Sequence, residues 1–223
     1  MNRNDTFELI NHSKKQIQSI SSSLKKGTLN KVEIKNTLEN LRSILDYLAV
    51  NISSKLKHPK KRVHFPYGRR QNHFKNAVKL NLPNLSTEFP LTYQKLEEIQ
   101  PYKSKKVWLI DLCELTNEAK HNNLNPVQQD KLSGIDIPGL IKIEDLSKIG
   151  NLKITGNTVN GQRIDDIETV NGKIINHSKN QIAILFSETN KFKFSNKEVE
   201  ITTFLDTCHE NLNNLFKSLE IIE

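Results

Sequence analysis

Arg42 begins a short string of polar residues on a predicted helix, and this string could contact a phosphate group. In the sequence LRSILDYLA, Arg42 is followed by Ser43, and Asp46 and Tyr47 come about one helical turn later. A guanidinium can donate two parallel hydrogen bonds to a phosphate, which an ammonium group cannot do. The structural alternative is an ion pair between Arg42 and Asp46 across one turn, which stabilises a helix by only about 0.3 kcal/mol. The sequence leaves both interpretations open.

His121 ends a second polar string, on another predicted helix. In LTNEAKHNNL it lies four residues after Asn117, so the two side chains share a helix face, and Lys120 is adjacent. Imidazole transfers protons near neutral pH, and a neighbouring amide can orient its ring. The structural alternative is that Lys120 and His121 stabilise the C-terminal end of the helix through its dipole. Here too, both interpretations stay open.

The elements that position these strings are predicted from the spacing of apolar residues. Helical spacing covers residues 5–25, 30–57, 105–124 and 198–220, with shorter helices expected near 70–80 and 91–99. From about residue 135, short β-type runs alternate with Asn-Gly turns at 160–161 and 171–172. We therefore predict a mainly α (α+β) fold, a helical bundle of four long helices with a small antiparallel β-sheet inserted before the C-terminal helix.

The predicted domain organisation follows the same change of pattern. We expect a helical bundle over residues 1–130 that contains a basic connection over 55–90. A small β insertion follows over 131–196. A C-terminal helix over 197–223 then packs back on the bundle, because its apolar stripe is too extensive to remain in water.

The positive charge of the chain is concentrated in one segment. The sequence holds 33 Lys and Arg against 25 Asp and Glu, a net charge of +8, yet no acidic residue lies between Asp46 and Glu88. This basic window, residues 47–87, holds nine cationic side chains: Lys55, Lys57, Lys60, Lys61, Arg62, Arg69, Arg70, Lys75 and Lys79. Clustered cations raise the local potential and release counterions when they bind phosphates. The window predicts a nucleic-acid-binding surface that includes Lys60, Lys61, Arg62, Arg69, Arg70 and Lys120, with a solvated basic loop as the alternative.

Several function classes have no support in the sequence. No apolar run approaches the roughly 18 residues that span a bilayer, and the N-terminus lacks the apolar core of a secretory signal. The glycine-rich nucleotide-binding motifs, the zinc-ligand spacings and the serine-hydrolase motif are all absent. We predict that Cys113 and Cys208 are buried free thiols in a reducing cytoplasm, and that the protein needs no metal, no cofactor and no membrane.

The two strings resemble those of a family of bacterial helical proteins. LRSILDYLA, followed by Phe65-Pro66, then QPY and LxxLxNxxKH, is similar to proteins with RSALDHLA and NxxKH strings, which in turn resemble the HEPN superfamily. The match covers roughly residues 38–125. The resemblance implies a dimeric helical bundle directed at RNA, either a metal-independent endoribonuclease of a defence or toxin–antitoxin system or a related protein. A partner protein encoded nearby is a further expectation.

The resemblance also assigns roles, and the sequence departs from it at one position. HEPN ribonucleases carry an Arg, a polar residue and then a His four to six residues after the Arg. Arg42 and Ser43 match the first half, but Tyr47 stands where the His is expected. A phenol titrates near pH ~10 and is a weaker general base than imidazole. The implied catalytic set is therefore Arg42, Tyr47, Asn117 and His121, with His121 supplying the proton transfer. The alternative is a non-catalytic dimeric interaction or scaffold module that has lost the nuclease chemistry.

Overall fold

The computed structural model describes residues 3–121, 126–137 and 139–220. The chain divides into two compact units. One, the helical unit, comprises Met1–Ser23, Thr28–Val127 and Phe194–Glu223, and the other, the β unit, comprises Leu24–Gly27 and Gln128–Lys193. Every residue discussed below as part of the candidate site belongs to the helical unit.

Eight α-helices are present among the described residues. They are α1 (Arg3–Lys25), α2 (Lys31–Lys55), α3 (Gln71–Asn81), α4 (Leu85–Glu88), α5 (Pro90–Glu98), α6 (Pro101–Ser104), α7 (Trp108–His121) and α8 (Ile201–Glu220). None of those helices combines the length and the apolar character that a bilayer crossing requires.

Helix α2 is the central element of the helical unit and packs against α7 and α8. Its N-cap residue is Asn30, whose side chain accepts hydrogen bonds from the N–H groups of Val32 and Glu33. These two N–H groups lie in the first turn of the helix and have no carbonyl partner within it. Its apolar stripe is fully buried at Leu38, Leu41, Ile44 and Leu45. Burial of each such side chain stabilises the fold by about 1.5–3 kcal/mol. The stripe determines which face of α2 packs against the core, and Arg42 lies beside that face.

The basic window is folded into the helical unit. Its apolar side chains are buried at Val63, Phe65, Phe74, Val78, Leu82 and Leu85, whereas all nine of its cations are exposed. This alternation anchors the backbone and directs the charges into solvent, because Lys and Arg are buried only when paired. That these exposed cations bind a polyanion stays a prediction, with a solvated basic segment as the alternative.

Gln100 fixes the turn of the basic window formed by residues 65–68. Its side-chain carbonyl accepts a hydrogen bond from the Gly68 N–H at 3.0 Å, and its amide donates to the carbonyl oxygens of Pro66 and Leu96. Gln100 is fully buried. A Cβ atom at Gly68 would lie 2.6 Å from the backbone nitrogen of Phe74, so only glycine fits this approach.

The β-strands form three separate sheets among the described residues. A curled four-stranded antiparallel sheet has the order β2-β1-β8-β9, a three-stranded sheet the order β3-β6-β7, and a hairpin pairs β4 with β5. The strands are β1 (Val127–Ile137), β2 (Ile141–Ile143), β3 (Leu152–Ile154), β4 (Thr158–Val159), β5 (Gln162–Arg163), β6 (Asp166–Val170), β7 (Lys173–Ser178), β8 (Leu185–Phe194) and β9 (Val199–Glu200).

Both Asn-Gly dipeptides form the tight turns that the sequence predicts. Asn160 and Gly161 connect β4 to β5, Asn171 and Gly172 connect β6 to β7, and all four residues have positive φ. The β unit has its own apolar core, which consists of Ile135, Ile137, Ile143, Leu146, Ile164, Ile167 and Ile184.

The predicted bundle of four long helices with one small sheet is wrong. The four long helices exist as α1, α2, α7 and α8, but the chain between α2 and α7 forms four further helices, of which only α3 and α5 correspond to the shorter helices expected near 70–80 and 91–99. Pro90 and Pro101 begin α5 and α6, where a missing N–H costs no helical hydrogen bond. The strands divide among three sheets because the tight Asn-Gly turns close local hairpins.

Replacement of Gln100 by alanine should destabilise the helical unit by about 3 kcal/mol, because it leaves the buried N–H of Gly68 and the carbonyl of Pro66 without a partner. Urea unfolding followed by the fluorescence of Trp108, the single tryptophan and a buried residue of α7, measures this unit selectively. The control is Gln94→Ala, which removes an exposed hydrogen bond to Glu98 and should change stability by less than about 0.5 kcal/mol. Equal stability of the two variants would contradict the role given to Gln100.

Candidate functional site

Arg42 lies between α2 and α7 with its guanidinium contacted on three sides. Its Nη1 donates a hydrogen bond to the sulfur of Cys113 at 3.0 Å, and its Nη2 lies 3.6 Å from Oδ1 of Asp46. The guanidinium also sits over the ring of Tyr67, 5.1 Å from the ring centroid, at cation–π distance. Only 13% of the side chain is exposed. These contacts join α2 to α7 and to the turn that Gln100 fixes.

The Cys113 thiol beside Arg42 is neutral at physiological pH. Burial raises its pKa to about 11, although the positive charge of Arg42 acts in the opposite direction. Burial also raises the pKa of Tyr67, whose hydroxyl is hydrogen-bonded to this thiol. A nucleophilic cysteine requires a thiolate. Cys113 is therefore a packing partner of Arg42, and both Cys113 and Cys208 are buried free thiols, as predicted.

Asp46 connects the Arg42 contacts to the segment that follows α2. Its Oδ1 accepts a hydrogen bond from the Phe65 N–H at 2.9 Å, and the same oxygen lies 4.0 Å from Nδ1 of His64. The His64 side chain is 77% exposed. One carboxylate oxygen therefore lies beside a semi-buried guanidinium, a backbone donor and an exposed imidazole. The sequence indicated only the first of these contacts.

A second set of ion pairs joins the first half of α7 to Arg69 and Lys197. Glu114 accepts hydrogen bonds from Arg69 and from Lys197, and Lys197 also lies 2.9 Å from Asp111. The hydrogen bond from Lys197 lowers the pKa of the Glu114 carboxyl, and the bond from Arg69 lowers it further. We define the Arg42 cluster as three cations and three carboxylates, namely Arg42, Arg69, Lys197, Asp46, Asp111 and Glu114. Its formal charge is zero, so the cluster does not attract an anion by net charge.

Tyr47 and Asn117, two further residues of the predicted catalytic set, lie on the two helices that Arg42 joins. Tyr47 is half-buried on α2, and Asn117 is exposed on α7. Arg42 meets Cys113, so Asn117 lies about 6 Å and the end of α7 about 12 Å further along that helix axis. The side chain of His121 lies outside the described residues. The catalytic set stays a prediction, and the observed contacts of Arg42 are those of a residue that holds α2 against α7.

The basic window presents its cations along and beside α3. Lys60 donates a hydrogen bond from its ammonium group to the carbonyl of Leu80, and the His64 N–H donates to Oδ1 of Asn81 at 2.9 Å. These contacts lay residues 60–64 against the C-terminal end of α3, close to Lys79. Arg70 precedes the first turn of this helix, which is about 16 Å long.

Six cations of the window have neither an ion pair nor a side-chain hydrogen bond among the residues that the structure describes. They are Lys57, Lys61, Arg62, Arg70, Lys75 and Lys79, and we call this set the basic surface. Arg69 differs because it is paired with Glu114. Lys120, the remaining cation predicted to bind nucleic acid, is exposed on α7. In the described ranges no group of three or more His, Cys, Asp or Glu side chains is arranged to hold a metal ion.

Arg42→Ala should destabilise the helical unit by about 2 kcal/mol, because it removes a cation–π contact and leaves the partly buried Asp46 without its guanidinium. Lys35→Ala is the control, since it removes an ordinary ion pair with Glu39 on the same helix and should cost less than about 0.5 kcal/mol. Urea unfolding followed by Trp108 fluorescence compares the two. Unchanged stability of Arg42→Ala would show that Arg42 does not hold the helices together.

Comparisons of the chain with family models, with curated proteins and with solved structures return no match. The resemblance to HEPN proteins therefore rests on the short strings around Arg42 and His121 alone.

Proposed function

We propose that this protein binds the phosphate backbone of RNA through the basic surface. The observation that carries the proposal is a set of six exposed, unpaired cations on a segment that is otherwise anchored in the core.

The first support is the anchoring of the basic surface. Buried Phe65, Phe74 and Val78 hold the backbone on both sides of the cations, and hydrogen bonds from Lys60 and His64 tie the preceding segment to α3. A ligand that binds such a surface orders only the ends of Lys and Arg side chains and not the backbone. Less conformational entropy is lost on binding, so more of the interaction energy is retained as affinity.

The second support is the contrast in charge with the Arg42 cluster. The cluster pairs each of its cations with a carboxylate, whereas the basic surface leaves its cations to counterions from the solvent. Release of those counterions when a phosphate backbone binds is the main source of nucleic-acid affinity that does not depend on sequence. The polyanion is therefore expected on the basic surface and not at Arg42.

The third support is the burial of the phenylalanine and tyrosine rings of the basic window. Within the basic window, which the structure describes completely, Phe65 and Phe74 are buried and Tyr47 and Tyr67 are half-buried. The exposed rings there are the imidazoles of three histidines, and no exposed phenyl or phenol ring is available for a base to stack on. The cations reach phosphates and not base edges. We infer binding with little sequence preference and a steep dependence on salt.

The choice of RNA follows from the resemblance to HEPN proteins, which also motivates a dimer, a role in defence or in a toxin–antitoxin pair, and a partner protein. The second candidate is a non-catalytic interaction module. It is favoured by Tyr47 in place of the expected His and by the engagement of Arg42 in packing contacts. In that case the basic surface recruits RNA or an acidic protein and no chemistry follows at Arg42.

Combined replacement of Lys61, Arg62 and Arg70 by glutamine should lower RNA affinity at least about tenfold near 0.1 M salt. Because each phosphate contact to a single strand contributes about 0.7 to the slope of log K against log salt, the slope should fall by about 2. Fluorescence anisotropy with a labelled single-stranded RNA of mixed sequence, measured at several salt concentrations, gives both quantities.

The matched control changes the same net charge at exposed lysines of the β unit. These are Lys142, Lys173 and Lys179, each replaced by glutamine. This variant should bind RNA within about twofold of the unmodified protein. If the two triple variants lose affinity equally, the effect comes from overall charge and the assignment of the basic surface is wrong. Failure of the unmodified protein to bind RNA would remove the proposal altogether.

A further inference from the structure

We propose that Asn160 is a site of spontaneous chemical modification, at which its side-chain amide becomes a carboxylate through a cyclic succinimide. The site lies in the β unit and is independent of the proposed binding of RNA. The chain contains the dipeptide Asn-Gly at 160–161, which we call the first turn, and at 171–172, which we call the second turn. The structure leaves the first turn open to the reaction and protects the second.

The reaction is an attack of the backbone on the neighbouring side chain. The backbone nitrogen of Gly161 forms a bond to the side-chain carbonyl carbon of Asn160, and the bond from that carbon to the amide nitrogen breaks. The amide nitrogen leaves as ammonia with the proton that the Gly161 nitrogen gives up. Water then opens the ring at either of its carbonyl carbons, so that the products at this position are aspartate and isoaspartate. Water is the co-reactant, and no atom is oxidised or reduced.

Glycine at position 161 leaves room for the ring to form. A Cβ atom on the residue that attacks would crowd the ring, and glycine has none. The space beside Gly161 is open as well, because no atom lies within 4 Å of the place where a Cβ would be. Asn160 and Gly161 are both exposed, so water has access to the amide and to the ring.

The two turns differ first in their hydrogen bonds. Within the described part of the chain, neither the Gly161 N–H nor the Asn160 amide has a hydrogen-bond partner. At the second turn, the Gly172 N–H donates to the carbonyl oxygen of Gly150 at 3.1 Å. The nitrogen of Gly172 therefore has to lose a hydrogen bond before it can attack, whereas the nitrogen of Gly161 does not.

The two turns differ also in their packing. A Cβ atom at Gly172 would lie 2.6 Å from Cα of Ser147, so the second turn is in close contact with another segment of the β unit. The Asn171 N–H donates to Oδ1 of Asn151 at 3.2 Å, which ties the same turn down at its other residue. These contacts oppose the movement that would bring the Asn171 amide to the next nitrogen.

The strands that the two turns join differ in length. The first turn closes a hairpin of two residue pairs, Thr158 with Arg163 and Val159 with Gln162. The second turn closes β6 and β7, which share five residue pairs and form a sheet with β3. Attack on the side chain requires the turn to distort, and local opening costs less free energy where fewer contacts have to break. The first turn should therefore reach the reactive geometry more often.

The isoaspartate product changes the backbone of the first turn. Its main chain runs through the former side chain and gains a carbon atom, so the two-residue turn no longer matches the strands on either side. Val159, which precedes the turn, packs against the apolar core of the β unit. We expect the β4–β5 pairing to be lost with this product. The aspartate product should keep the turn, because aspartate tolerates positive φ.

Both sites can be followed in the same full-length protein. The protein is incubated at mildly alkaline pH in water enriched in oxygen-18, which marks conversion during the incubation, and peptides that contain each site are then compared by mass spectrometry. Asn160 should be converted at least about tenfold faster than Asn171, which corresponds to about 1.4 kcal/mol of activation free energy. In urea the two rates should agree within about twofold, because unfolding removes the structural difference between identical dipeptides.

A matched pair of variants assigns the product to its site. Asn160→Gly and Asn171→Gly each remove one amide and keep the positive φ that the turn requires. Each conversion adds a negative charge, so ion-exchange chromatography separates the product. The first acidic form to appear in the unmodified protein should be absent from Asn160→Gly and present in Asn171→Gly.

Three results would overturn the proposal. They are equal rates at the two sites in the folded protein, an acidic form that Asn160→Gly produces as fast as the unmodified protein, and formation of aspartate without isoaspartate, which excludes the succinimide. Each of them leaves the RNA-binding proposal in place, because the basic surface belongs to the helical unit.

Discussion

The requirement that buried backbone groups find hydrogen-bond partners determines the arrangement of the candidate site. The turn at residues 65–68 is buried, so its N–H and carbonyl groups cannot be satisfied by water. Gln100 pairs with Gly68 and Pro66, and Asp46 pairs with Phe65. These partners come from α2 and from the segment before α6. The turn contains Tyr67, and it connects His64 on one side to Arg69 and Arg70 on the other. The positions of these residues therefore depend on the side chains of Gln100 and Asp46, which lie outside the turn.

The most covered cations of the Arg42 cluster are paired, whereas the exposed cations of the basic surface are not. Arg42 and Lys197 are partly buried, where desolvation makes an unpaired charge costly, and each lies beside a carboxylate. On the basic window the cations remain in water, where their mutual repulsion is screened over about 10 Å at 0.1 M salt. Exposure thus allows an excess of positive charge that the core would not tolerate. The proposed phosphate-binding surface and the motif arginine therefore lie at different places.

Local signals in the sequence predicted local structure well. The long helices follow from apolar spacing, and the turns at Asn160-Gly161 and Asn171-Gly172 follow from the need for positive φ at both positions. The number of sheets was not predictable in this way, because strand pairing depends on residues far apart along the chain. The short helices α4 and α6 were not predicted either, because four residues are too few to show helical spacing of apolar side chains. Their formation depends on tertiary packing, which periodicity does not report.

The contacts of single side chains in the candidate site were also not predictable from the sequence, because they join residues far apart along the chain. The sequence singled out Arg42 by its motif and Arg69 by its charge, but the structure pairs Arg69 with Glu114, 45 residues later, and Arg42 with Cys113, 71 residues later. A motif at fixed spacing on one helix directs attention to Tyr47, whereas the carboxylate of Asp46 lies 4.0 Å from the imidazole of His64, a residue beyond the end of α2. Contacts of this kind depend on distance in space and not on spacing along the chain, so no pattern within one helix predicts them.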